Sequence, residues 1–334
     1  MRLADLIWFR FSTQFRLALT LTLFLLVIAV AAALAQSPGR GIAPAFGGAV
    51  PQAGASLAGV APGNAHLYAL DVEQNLWFRA GCGGALVRIG QVRGVDGALI
   101  GIDFRPADGL LYGLSDRGQV YVLSTVFAYP VNPSAIVPFE GGFQSLLAFN
   151  PVLDAVRLIA TDDANFALVQ NFTAFARQVN ITYAAGDVNA GRNAALVGGD
   201  YTASYRITPQ RPAPAATLFY GLDFTADSLV YIAPAASGQS SATGGGQLQT
   251  IGPLQFADGA PLNVLPLADM DIFTDVAGND HLVGFSGRTL FGMDLGAVPI
   301  PPLGQSTPVR VRTVTIQTAA LIDIAVQLDS RGCN

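Results

Sequence analysis

The chain reads as an all-β protein, a β-propeller of five four-stranded blades closed by its C-terminal strand, with six blades as the alternative. Three observations predict this class. One hairpin pattern recurs five times along the 334 residues. Its early copies are spaced at 44 residues (Leu67 to Leu111) and 45 residues (Leu111 to Val156), near the roughly 40 to 50 residues of a propeller blade. Finally, the first hairpin has no strand before it and the last strand has no hairpin after it, so the two ends complete one blade.

The clearest copy runs from Gly101 to Leu123, GIDFRPADGLLYGLSDRGQVYVL. Three short apolar runs, IGIDF, LLYGL and QVYVL, are divided by the turn signals RPADG and SDRG. Asp-Gly and Arg-Gly at the breaks suit an antiparallel meander.

Taken from the N-terminus, Met1 to Ala35 reads as an export signal. Arg2, Arg10 and Arg16 precede an apolar run from Leu17 to Ala33, and Ala33-Leu34-Ala35 forms an A-x-A cleavage site. The rival reading is an uncleaved membrane anchor, since the run is marginal in length for spanning a bilayer. Cleavage leaves 22 acids against 15 Arg, a net charge of −7. The protein is therefore expected to be secreted, periplasmic or envelope-associated. Residues 36–64, rich in Gly, Ala and Pro, read as a flexible lead-in, and residues 65–334 as the propeller domain.

The five hairpins are HLYALDVEQNLWFR from 66, LLYGLSDRGQVYVL from 110, AVRLIATDDANFALV from 155, LFYGLDFTADSLVYI from 218 and HLVGFSGRTLFGMDL from 281. A strand precedes four of them, as ALIGIDFRP, SLLAFNPVL, LVGGDYTAS and ADMDIFTDV. A following strand is read at ALVRIGQV, AIVPF, QLQTIGPL and VRVRTVTI. ALIDIAVQLD, 320–329, is the closing strand. Closure removes the sheet edges that an open array would expose. Thr182 to Asn193 and Asp258 to Leu267 are insertions.

GIDFRPADGLLYGL, FNPVLDAVRLIA, TYAAGDVNAG and TLFYGLDF together resemble a bacterial exported family described as a domain of unknown function with propeller-like repeats. The resemblance spans roughly Asn64 to Asp329 and implies a secreted β-propeller, with no catalytic residues to carry over. The AFAR segment and the Ser/Gly-rich loop at 237–246 depart from the family pattern.

Composition narrows the chemistry. All 18 basic residues are Arg, so Schiff-base and phosphate-loop lysine mechanisms are excluded. A net charge of −5 and a pI near 4.9 argue against a nucleic-acid partner. A membrane is a partner only through an unprocessed anchor. Cys82 and Cys333, the only cysteines, flank the first hairpin and the closing strand, and a disulfide between them would staple the ring. Two separate thiols are the other reading.

The best ligand-like loop is GDVNAGRN, 186–193. Asp187, Asn189 and Asn193 offer oxygens at alternating positions around Gly191, as calcium prefers, although the loop lacks the bidentate Glu of a full calcium loop. An Asx-rich turn is the plainer reading. Further acidic candidates are Asp162-Asp163 and the run Asp269, Asp271, Asp275, Asp280. His66 and His281 occupy equivalent places in their repeats, which shared descent explains better than a metal pair. Asp103, Asp200 and Asp271 recur where the preceding strands end and read as turn formers. No G-x-S-x-G is present, and nothing selects a carboxylate pair for glycoside hydrolysis.

The function expected is a binding or interaction module with an unidentified ligand or protein partner. A hydrolase or lyase acting on an exported polymer, with Arg105, Arg117, Arg157 and Arg288 near its funnel, is one alternative. A calcium-stiffened structural domain is another.

Overall fold

The computed structural model describes Val60 and residues 64–81, 85–133, 136–138, 141–142, 145–169, 172–232, 245–316 and 320–328. Five four-stranded antiparallel sheets form a ring, a five-bladed β-propeller. Each blade runs from an innermost strand at the axis to an outer strand at the rim.

Blade 1 contributes β1 (Ala65–Asp71), β2 (Asn75–Arg79) and β3 (Val87–Gln91). Blade 2 is β4 (Leu99–Phe104), β5 (Leu111–Ser115), β6 (Val120–Ser124) and β7 (Phe127–Pro130). Blade 3 is β8 (Leu146–Asn150), β9 (Ala155–Ile159), β10 (Asn165–Val169) and β11 (Ala174–Arg177). After the short β12 (Thr182–Tyr183), blade 4 is β13 (Leu196–Tyr201), β14 (Phe219–Asp223), β15 (Ser228–Ile232) and β16 (Gln247–Gln255). Blade 5 is β17 (Ala268–Thr274), β18 (Asp280–Ser286), β19 (Thr289–Asp294) and β21 (Arg312–Thr315), with the short β20 (Val309–Arg310) lying between β19 and β21 in the chain. β12 and β20 both pair in parallel with β16, so blade 4 is widened by two short strands.

The closing strand is β22 (Leu321–Leu328). It pairs antiparallel with β1 from Ala65↔Leu328 to Asp71↔Leu321 and so becomes the innermost strand of blade 1. The ring is joined across its two ends, as the sequence predicts.

The core lies between the blades. Its five hydrophobic clusters each occupy one seam between neighbours. A blade is therefore buried on both faces, which is why β5, β8, β9, β14 and β17 are buried at every position instead of alternating. The strand aromatics Tyr112, Phe219, Tyr220 and Phe291 all fill these seams.

One expected strand is corrected. The outer strand of blade 2 is β7, not AIVPF. Thr125, at φ +58°, turns the chain back immediately after β6, so Phe127–Pro130 pairs before AIVPF is reached. Within AIVPF, Val137 instead caps the Asp116–Gly118 turn, its N–H donating to the Gly118 carbonyl at 3.1 Å. In blade 3 the outer strand is the AFAR segment itself. Cys82 and Cys333 lie outside the described residues, as do the signal segment and most of the lead-in and of the Ser/Gly-rich loop. No helix among the described residues is long and apolar enough to cross a membrane.

Candidate functional site

Four of the five innermost strands carry an aspartate in an otherwise apolar run: IDF in β4, GDY in β13, DMDI in β17 and IDI in β22. Strand pairing sorts these acids into two layers. Tyr112, Tyr220, Val283, Arg157 and Tyr68 stand at equivalent positions of the five second strands. They pair with Asp103, Asp200, Asp271, Ala148 and Ala325 respectively. The three aspartates and two alanines thus form one layer around the axis. Two residues earlier, a second layer holds Asp269 and Asp323, with glycines at 101 and 198 and Leu146.

These aspartates lock blades together. Each accepts a backbone N–H from the innermost strand of the next blade. Ile102 donates to Asp323 at 2.9 Å and Phe149 to Asp103 at 2.8 Å. Ile272 donates to Asp200 at 3.1 Å and Ile324 to Asp269 at 2.9 Å, while Val326 donates to Asp271. The expectation that Asp103, Asp200 and Asp271 are turn formers is therefore corrected: they are buried strand residues that bridge seams. At the remaining seam, where β8 has no acid, Arg157 donates from Nε to the Tyr201 hydroxyl at 2.6 Å and lies over the Phe219 ring.

Burial is the first cause that pushes the carboxyls of Asp103, Asp200, Asp269 and Asp323 well above the ordinary carboxylate range. For Asp103 and Asp200 the negative charges of neighbouring carboxylates add to it. Burial also raises Asp271, to about 7, against hydrogen bonds that lower it. One oxygen from each of Asp103, Asp200 and Asp271 lies within 4.8 Å of the others. Such an arrangement can share protons or hold a cation.

The 186–193 loop is built differently. Asp187 is buried, and its oxygens accept from the Thr250 N–H and hydroxyl, both at 2.7 Å, and from the Asn189 N–H at 2.8 Å. The Asn189 carboxamide oxygen accepts from Arg192, and its amide donates to Thr250 Oγ1. Asn193 bonds with its side chain to Asp163. Asp187 and Asn189 converge on Thr250 while Asn193 turns to Asp163, so the loop pins the insertion to β16 and its neighbour.

Other singled-out residues fall apart spatially. His66 accepts from the Gly81 N–H, whereas His281 lies between Asp294 (2.6 Å from Nδ1) and Asp275 (3.1 Å from Nε2). Asp280 caps Ala203 N–H. Arg105 is held by Asp154, Asp108 and Tyr112, and Arg117 pairs with Asp96 on the surface. The backbone carbonyl of Arg288 accepts from Ile316. Sequence reasoning missed Asp323 and the cross-blade role of Asp269. The available signal was an acid inside a run of Ile and Leu, where a turn former does not belong.

A groove of about 430 Å³ opens at the rim of blade 5. Met293, Val298, Pro299 and Pro308 line it, with Arg310 and Arg312 beside Asp294.

The closed ring and its acidic axis define a five-bladed β-propeller with a carboxylate-lined centre. The chain belongs to the family described as a domain of unknown function (DUF4394), which matches residues 76–305. None of the curated proteins compared with the chain matches it. Among solved structures, the chain is similar to dihydro-heme d1 dehydrogenase NirN in complex with DHE. The identity is 12% and the TM-score 0.33, over 77% of this chain and 55% of that one. The chain thus spans about half the length of that protein, and a likeness so distant says nothing of what this chain binds.

Proposed function

We propose that the chain is an exported β-propeller that works by binding in the envelope or extracellular space. The observation that carries this reading is the burial of the axial acids: Asp103 is 5%, Asp200 3% and Asp271 4% exposed. A general acid or base must come within hydrogen-bond reach of the group it serves. A polymer chain cannot reach carboxyls sealed between five strands, so the densest acidic cluster of the described residues is unsuited to hydrolysing one. Among the described residues the rim groove is accessible, and its Met293, Val298, Pro299 and Pro308 with the flanking Arg310 and Arg312 suit an acidic, partly apolar partner. Export rests on the Met1 to Ala35 segment and its A-x-A site.

Fractionation of cells making the full chain tests both parts. The mature protein is expected outside the cytoplasm, and Arg310→Ala/Arg312→Ala should free it from the envelope fraction or from its extracellular partner without changing its melting temperature. Retention in the cytoplasm would sink export. Unchanged association in the double variant would sink the groove.

A further inference from the structure

We propose that Asp103, Asp200 and Asp271 hold one hard divalent cation, calcium in the first instance, on the axis of the propeller. Three carboxylates from blades 2, 4 and 5 converge there, each buried and each fixed by a backbone N–H from the next blade. An acidic cluster alone would be explained by these blade contacts. Asp200 adds the second observation. Its Oδ2 is taken by Ile272 N–H, but its Oδ1 is buried and meets no N–H or hydroxyl donor, only the neighbouring Asp271 carboxyl.

A buried, donorless carboxylate oxygen beside two other carboxylates is costly unless a positive charge sits with it. The charges that bear on Asp200 are Asp103 and Asp271, both negative. Alanines at 148 and 325 complete the layer, so blades 1 and 3 send in no cationic side chain.

The donor set selects the ion. All three ligands are oxygens, which suits calcium, magnesium or manganese over zinc or copper. One oxygen from each lies within 4.8 Å of the others, close enough for a single ion to meet all three, and calcium is the hard ion most tolerant of an irregular oxygen set. Two positive charges offset two of the three carboxylates and tie three blades to one point. The calcium thus lies at the ring centre, away from Asp187 and Asn189, whose oxygens serve Thr250 and Arg192, and from Asn193, whose amide faces Asp163.

Elemental analysis of the purified full chain, with melts in excess calcium and in excess chelator, tests the site. About one calcium, magnesium or manganese per chain is expected, with a melting temperature about 5 °C higher in calcium at hundredfold saturation. Asp200→Asn and Asp271→Asn should each lose the ion and the calcium-dependent shift, while Asp187→Asn keeps both. Absence of metal with melts that agree to within about 1 °C would overturn the proposal and leave shared protons at the axis. Zinc in place of a hard ion would also overturn it, as would an ion retained by both axial variants or lost from Asp187→Asn. If the axial variants do not fold, the wild-type metal content and its paired melts still decide.

Discussion

Asp187 shows how a residue chosen for calcium can be committed to the fold. Its carboxylate receives three donors, two of them from Thr250, far along the chain. Removing it leaves a buried N–H and hydroxyl without a partner, and hydrogen bonds to charged groups contribute about 1.5–3 kcal/mol each. Asp187→Ala is therefore expected to cost about 2–4 kcal/mol in denaturant melts, equally with and without calcium. A calcium-dependent loss would instead return the metal to this loop. Gly198 makes a second case. A Cβ there would lie 2.5 Å from Asp269 Oδ1 and 2.6 Å from its Cα, contacts that only backbone movement relieves. Gly198→Ala should cost about 3 kcal/mol or more, against about 1 kcal/mol for Gly259→Ala, which meets nothing within 4 Å but has a φ of +90°. Tyrosines supply the pH dependence. Burial, the first cause in each, raises the phenols of Tyr112 and Tyr220 to about 12, and it raises Tyr183 too, beside the Asp223 carboxylate. A folded pKa above the unfolded value near 10 means that this stability is complete below pH 10 and is lost as pH climbs toward 12 and beyond. Ultraviolet titration should show these three phenols ionising only together with unfolding. Smooth ionisation near pH 10 in the folded protein would contradict their burial.

Among the elements, the innermost strands do the joining, and they do not join equally. Four seams are bridged by an aspartate to the backbone of the next blade, but β8 brings no acid to the seam between blades 3 and 4. Arg157 closes that seam, buried, bonded to Tyr201 and to the Gly245 carbonyl, and stacked over Phe219. Arg157→Ala should therefore destabilise by about 3 kcal/mol in a denaturant melt, because it strands the Tyr201 hydroxyl and opens a cavity. Arg117→Ala, at an exposed pair with Asp96, should stay within about 0.5 kcal/mol. Equal effects would mean that the seam is held by its apolar cluster alone. This level is also where the sequence was most and least legible. All five hairpins could be placed because Asp-Gly, Arg-Gly and Asx turns punctuate them locally. AIVPF misled because its β propensity is real, while the turn at Thr125 that pre-empted it has no sequence signal of its own. Asp103, Asp200 and Asp271 were visible as repeats, yet a repeated acid in a β protein ordinarily makes turns. Only ring closure, which brings blades 2, 4 and 5 to one axis, gives the three a common site.

For the whole molecule, stability depends on the last strand finding the first. β22 supplies the innermost strand of blade 1 and the core residues Ile324 and Val326 of one seam and Ile322 and Ala325 of the other. It also supplies the N–H groups that Asp269 and Asp271 accept and the carboxylate that Ile102 requires. A chain ending at Ala320 would expose the edge of β1, strip β4 and β17 of the strand packed against them and bury carboxylates without their donors, so it should show no cooperative melt and should aggregate. A chain ending at Leu328 keeps all of these contacts and should melt cooperatively. The comparison of that shorter chain with the intact one then reads the Cys82–Cys333 staple. In the chain-entropy view, a cross-link closing about 250 residues stabilises by about 5 kcal/mol. If the disulfide forms, the Leu328 chain melts well below the intact protein under non-reducing conditions, and a reductant removes the difference. If the two chains melt together without reductant, the ring is held by its strands, its seams and its axis, and the cysteines contribute nothing to closure.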